Sequence, residues 1–67
     1  MKNLKKFRIG AELSQAKLAE KSSVNIRMIQ HYEQGSKDIN KAEAITVYRL
    51  AQTLNCYMED LLELTED

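Results

Sequence analysis

The sequence predicts an all-α domain of five short helices. Three observations carry that expectation. Apolar residues recur at helical spacing along most of the 67 residues. Residues that cap helices stand at the breaks between these runs: Ser14, Asn25 and Asn40 before them, Gly35 and Asn55 after them. Proline, which interrupts helices, is absent. A chain of this length reads as one domain over residues 1–67. Such a domain buries only about 60% of its unfolded surface, so its core has to be efficient.

The first helix is expected from Asn3 to Ile9, with Leu4, Phe7 and either Ile9 or Ala11 facing inward and Lys2, Lys5 and Lys6 outward. The second follows Ser14 as N-cap and runs Gln15-Ala16-Lys17-Leu18-Ala19-Glu20-Lys21, burying Leu18 and Ala19 before Ser22-Ser23 breaks it. The small Ala19 leaves room for close approach of another helix. The third is expected over Ile26 to Gln34, capped by Asn25 and ended by Gly35 at C′. Its two sides differ. Val24, Ile29 and Tyr32 form an apolar side, with Met28 as partial filler. Arg27, Gln30, His31 and Gln34 fall at i, i+3, i+4 and i+7, one continuous polar face.

A fourth helix is expected to start at Asn40, whose side chain and that of Glu43 three residues later fit a capping box. Its apolar set is Ala44, Ile45, Val47, Tyr48, Ala51 and Leu54, closing over the first three helices, and Asn55 suits a left-handed end. The fifth is expected from about Tyr57 to Leu64. Met58, Leu61 and Leu62 face inward, Tyr57 and Leu64 are surplus apolar surface, and Glu59, Asp60 and Glu63 form a solvated face. Glu66-Asp67 reads as a frayed end.

Composition narrows the chemistry. One cysteine excludes an internal disulfide, and one Cys with one His gives no zinc-ligand spacing. Nothing activates Cys56 as a nucleophile. No phosphate-binding loop and no nucleophile with a base is present, so the chain reads as no enzyme, with no catalytic residues, metal or cofactor. No secretory signal and no run near the ~20 apolar residues of a membrane helix appears, which points to a cytoplasmic protein without a membrane partner. The formal net charge is zero, but it is divided unevenly. Residues 1–41 hold nine basic and four acidic side chains, a net of +5, and residues 42–67 hold Arg49 against six acids, a net of −5. Such a dipolar domain can orient on phosphate without being basic overall.

A short helix, a tight turn and a second helix with a polar outer stripe is the helix-turn-helix plan. The matching residues are Leu13-Ser14-Gln15, Leu18-Ala19, Val24, Ile29 and Glu33-x-Gly35. Arg8, Leu50-Ala51-x-x-Leu54 and Met58-x-x-Leu61-Leu62 extend the match over nearly the whole chain. Together they resemble the helix-turn-helix DNA-binding proteins of the phage Cro and repressor type, the xenobiotic-response-element family. Two positions depart from the family's pattern. Ser23 stands where glycine is usual, and Glu12 stands where glycine is common, with Gly10 two residues earlier. The end of the first helix is therefore left open.

The resemblance implies a compact five-helix domain of the lambda-repressor-like type that binds double-stranded DNA as a transcriptional regulator, and as a repressor in particular. It places Ile26, Arg27 and His31 at base-reading positions, with Gln30 between them on the same face. Arginine suits guanine, glutamine suits adenine, and Ile26 suits a thymine methyl group. Gln15 at a helix N-terminus, Ser36 and Lys37 are implied as phosphate contacts. Arg8 is implied to pair with Glu33, and a carboxylate at a packed helix junction does need such a partner. The resemblance also implies a homodimer through the C-terminal helix. An alternative keeps the fold with weak or no DNA binding: a protein-interaction module, or an antitoxin that neutralises a toxin partner. Zero net charge, Ile26 on the reading face and the apolar Tyr57 and Leu64 favour it.

Overall fold

The computed structural model describes residues 1–64, so the expected fraying at Glu66-Asp67 lies outside the described residues. Five α-helices are present: α1 Asn3–Gly10, α2 Gln15–Ser22, α3 Ile26–Gln34, α4 Ala44–Leu54 and α5 Met58–Leu61, with a 3-10 turn at Ile39–Lys41. None of the described residues forms a strand. α2 packs on both α3 and α4, α4 on α5, and α1 on α3 and α5. Leu4, Leu18, Ile29, Leu50 and Leu61 are the largest fully buried side chains, one from each helix, and they meet in one core.

The caps of the central pair follow from sequence. The Ser14 hydroxyl accepts from Lys17 N–H at 3.0 Å and starts α2. The Asn25 side chain accepts from Arg27 N–H at 2.8 Å and starts α3. Ser23 ends α2 at φ 61°, and Gly35 ends α3 at φ 85°. A non-glycine residue in the left-handed region loses roughly 1 kcal/mol to its Cβ. Glu12 adopts the same conformation at φ 60°. Both positions where the resembled family commonly has glycine are thus left-handed in this chain. Gly10 lies inside α1, which runs one residue further than expected, and a Cβ there would meet nothing within 4 Å.

Three expectations need correction. Asn40 does not open α4. The Asp38 side chain accepts from Asn40 N–H at 2.9 Å and winds a 3-10 turn instead, and α4 begins after Glu43, which makes no side-chain capping bond. The Asn40 amide is used elsewhere: its Nδ2 donates to Glu63 O and its Oδ1 accepts from Glu63 N–H, both at 2.8 Å. Second, α5 is four residues long rather than eight. It opens at Tyr57, whose N–H donates to the Asp60 carboxylate at 2.9 Å, and ends before Leu62, which is extended and half-buried. Asn3 holds that extended segment, donating from its side chain to Leu62 O at 2.8 Å and from its backbone to the Glu63 carboxylate. Glu63 therefore caps α1 from the far end of the chain, where Lys2 supplies no side-chain cap.

The third correction concerns which apolar residues are inside. In α4 the buried face is Val47, Leu50, Ala51 and Leu54. Ala44, Ile45 and Tyr48 are exposed, the last two by about half. The expected set mixed two helix faces, and only the one spaced from Val47 can meet the core. In α1, Leu4 alone is buried; Phe7, Ile9 and Ala11 are exposed. Eight residues make little over two turns, so a single narrow stripe reaches the core.

Candidate nucleic-acid interface

The two sides of α3 are built differently, and the inner side fixes the helix. Arg8 of α1 reaches across to Glu33 near the end of α3. Its Nε lies 2.7 Å from Glu33 Oε2 and its Nη2 3.0 Å from Oε1, a two-pronged charge-assisted pair. The Glu33 side chain is 3% exposed and that of Arg8 12%. Two more groups complete the cluster. Arg8 Nη1 donates to the Leu13 carbonyl at 2.9 Å, and Gln15 Nε2 donates to Glu33 Oε1 at 3.0 Å. The hydrogen bonds that Arg8 donates to Glu33 raise the guanidinium pKa above its ordinary value, burial works against this, and the Glu33 charge adds to the rise. No buried side-chain polar atom among the described residues lacks a partner. One cluster thus ties α1, the α1–α2 turn and the start of α2 to the end of α3.

Gln15 takes part in this cluster, a connection that spacing alone did not indicate. Its amide nitrogen keeps a second hydrogen after donating to Glu33. Its backbone N–H lies in the first turn of α2, where N–H groups have no intrahelical partner.

The outer side of α3 is open. Arg27 is exposed, Gln30 and Ile26 are half-buried, and among the described residues no hydrogen bond or ion pair engages the Arg27 or Gln30 side chain. Ile26 sits at the first helical position, next to the turn. His31 is the exception. Its Nδ1 lies 2.8 Å from Ser36 Oγ, and the same hydroxyl donates to the His31 carbonyl at 3.3 Å. That carbonyl also accepts from Gly35 N–H at 3.0 Å and Lys37 N–H at 3.3 Å, because the left-handed Gly35 folds the chain back over the last turn. Ser36 and Lys37 are both exposed there. The Lys37 ammonium passes 3.9 Å from the Met28 sulfur, a weak contact that leaves its charge facing solvent. The Lys2 side chain lies across Gly35, its Cε 3.2 Å from where a Cβ would stand.

Other chemistry finds little support. No group of three or more His, Cys, Asp or Glu among the described residues is arranged to hold a metal ion. Among the described residues no helix is long and apolar enough to cross a membrane. Burial pushes the half-buried Cys56 thiol up, and Asp60 adds to this, so the reactive thiolate is disfavoured.

A family model decides the class. The helix-turn-helix model matches residues 4–61, which is most of the chain and takes in α1 from Leu4 and all of α2 to α5. The chain belongs to the helix-turn-helix family of the Cro/repressor type. It is a DNA-binding domain of the kind found in transcription regulators. Comparison with curated proteins found no match, and comparison with solved structures found none. Within this helix-turn-helix domain, α2 and α3 are the family's paired helices, and the open polar face of α3 is the candidate surface for DNA.

Proposed function

We propose that this helix-turn-helix domain is a sequence-reading repressor that lays α3 in the major groove of double-stranded DNA. The observation that carries the reading is the contrast across α3. Its inner side is held through Glu33 by α1 and α2, while on its outer side the exposed Arg27 and half-buried Gln30 side chains have no hydrogen-bond partner among the described residues. Arg27 reads guanine by donating two hydrogen bonds to O6 and N7; Gln30 and His31 read the neighbouring edges, and Ile26 packs on a thymine methyl group. Gln15 and Lys37 hold phosphates on either side of the groove, Gln15 through its second amide hydrogen and the N-terminus of α2. Ser36 contributes its backbone N–H, which no hydrogen bond among the described residues uses. Residues 1–67 act as one cytoplasmic unit, and a homodimer through the C-terminal end sets two copies of α3 about 34 Å apart, one DNA turn. Repression follows from occupying promoter DNA.

Selection of bound sequences from a random duplex library tests this directly. The expected result is a palindromic site whose affinity falls steeply with salt, as counterions are released. No enrichment at low salt would overturn it. The dimer is tested by light scattering with and without the recovered site; a monomeric mass in both would remove that part.

A second reading has its own observation. Tyr57 is 75% and Leu64 69% exposed, and Ile45 and Tyr48 stand half-exposed on α4. Apolar surface of this kind suits a protein partner, as in an antitoxin that binds its toxin. Retention of a protein partner by a variant that has lost DNA binding would separate this role from the first.

A further inference from the structure

We infer that Ser36 sets which base His31 accepts, by fixing the imidazole in the tautomer whose outer nitrogen is a hydrogen-bond acceptor. This rests on the proposal that α3 reads DNA. Two contacts converge on one hydroxyl: Ser36 Oγ lies 2.8 Å from His31 Nδ1 and 3.3 Å from the His31 carbonyl. A carbonyl only accepts, and a hydroxyl has a single proton. Both contacts are hydrogen bonds in one arrangement alone. Ser36 O–H donates to the carbonyl, and Nδ1–H donates to Ser36 Oγ. The neutral ring then carries its proton on Nδ1 and a bare lone pair on Nε2. The reverse arrangement, with Ser36 donating to Nδ1, leaves two oxygens facing each other without a proton.

The ring is also held in place. Gly35 at φ 85° turns the chain so that Gly35 N–H and Lys37 N–H both bind the His31 carbonyl, and Ser36 stands between them. The Nδ1 edge is therefore committed to the helix C-terminus, and the Nε2 edge is the one left for a ligand. In the major groove an acceptor meets a donor only at adenine N6 or cytosine N4; guanine and thymine offer acceptors there. His31 thus selects a base whose exocyclic amino group lies in the major groove, adenine or cytosine on the strand it faces. Ser36 is a positioning residue for that choice, and its hydroxyl proton is not available to a phosphate.

Two measurements test this, using the full chain. Nitrogen NMR of the neutral imidazole in the free protein should show Nδ1 protonated and Nε2 bare, and Ser36→Ala should move the ring toward Nε2–H. Nε2–H as the major form in the unsubstituted protein would overturn the inference without any DNA. Selection from the random duplex library should then show, on one strand, adenine or cytosine preferred over guanine or thymine at the position whose preference His31→Ala abolishes. Ser36→Ala should relax that preference roughly five- to tenfold while leaving the other positions of the site unchanged. A uniform loss of affinity across all sequences would mean a phosphate role for the hydroxyl and would overturn the assignment. Failure of the unsubstituted protein to select any duplex would instead remove the DNA-reading proposal itself, an outcome distinguishable from bound sites that show no amino-base preference.

Discussion

Glu33 and His31 stand two residues apart on α3 and live under opposite conditions. The Glu33 side chain is 3% exposed and takes hydrogen bonds from Arg8 and Gln15. His31 is partly exposed and bonded only within its own turn and cap. The first residue is placed by tertiary contacts to α1 and α2, the second by the local geometry of a helix end. Buried, paired charge and open polar surface are thus divided between two faces of one nine-residue helix. The inner face satisfies its charge internally, while on the outer face the Arg27 and Gln30 side chains make no hydrogen bond among the described residues.

The largest expected effect breaks the inner face. Arg8→Ala leaves the Glu33 carboxylate buried with only Gln15 as a donor, and losing one partner of such a pair costs about 3–5 kcal/mol. That is a large share of the stability of a domain this small. Urea unfolding should show a midpoint lowered accordingly or no folded baseline. The paired substitution Arg8→Met with Glu33→Leu should recover most of the loss, because no unpaired charge then remains inside. A single variant as stable as the unsubstituted protein would refute the contrast between the faces.

The outer face should respond in the opposite way. Arg27→Ala should leave the urea midpoint within about 0.5 kcal/mol, as surface substitutions usually do. It should reduce discrimination at one base pair by ~1–3 kcal/mol, read from competition binding against single-base variants of the selected site. Unchanged specificity would remove Arg27 from the reading face.

A smaller effect sharpens the comparison at the turns that join the faces. Glu12 and Ser23 hold φ near 60° without being glycine. Glu12→Gly and Ser23→Gly should each raise stability by up to ~1 kcal/mol, since removing the Cβ relieves the left-handed strain. Loss of stability in either would mean that its side chain contributes more than its strain costs.

The smallest effect is on the alkaline side. Burial, with a further contribution from Glu43, raises the Tyr32 phenol above its ordinary 10.0. Burial, with a contribution from Asp60, raises the Cys56 thiol above its ordinary 9.0. The folded protein therefore holds these protons more tightly than the unfolded chain. Their contribution is fully present below those ordinary values and is lost as pH rises through the folded ones. The urea midpoint should decline modestly above about pH 9, and Tyr32→Phe should remove the later part of the decline. A flat midpoint through that range would contradict the shifts.

Much of this was legible locally. Ser14, Asn25 and Gly35 cap α2 and α3 at the positions their chemistry suggests. Val24, Ile29 and Tyr32 are buried together as their spacing implies. The polar stripe of α3 was equally readable, because a helix face depends only on an angle per residue. Where sequence reasoning failed, a distant partner had intervened. Asn40 and Glu43 carry a plausible capping box, yet the Asn40 amide is taken by the backbone of Glu63, a residue 23 positions away. The eight residues expected in α5 include two, Leu62 and Glu63, that Asn3 and Asn40 hold extended. In α4, two helical stripes were available from spacing, and only packing against α2 and α5 chose the one containing Leu50.

The sequence by itself determined the all-α class, the helix-turn-helix pair, its caps and the open polar face of α3, because these follow from spacing and from bonds within a few residues. Tertiary structure alone decided the short α5, the Glu63 cap on α1 and the joining of Gln15 to the Arg8–Glu33 pair. A side-chain amide, carboxylate or hydroxyl has several chemically equivalent partners in a sequence, and only the folded chain brings one of them within 3 Å or so.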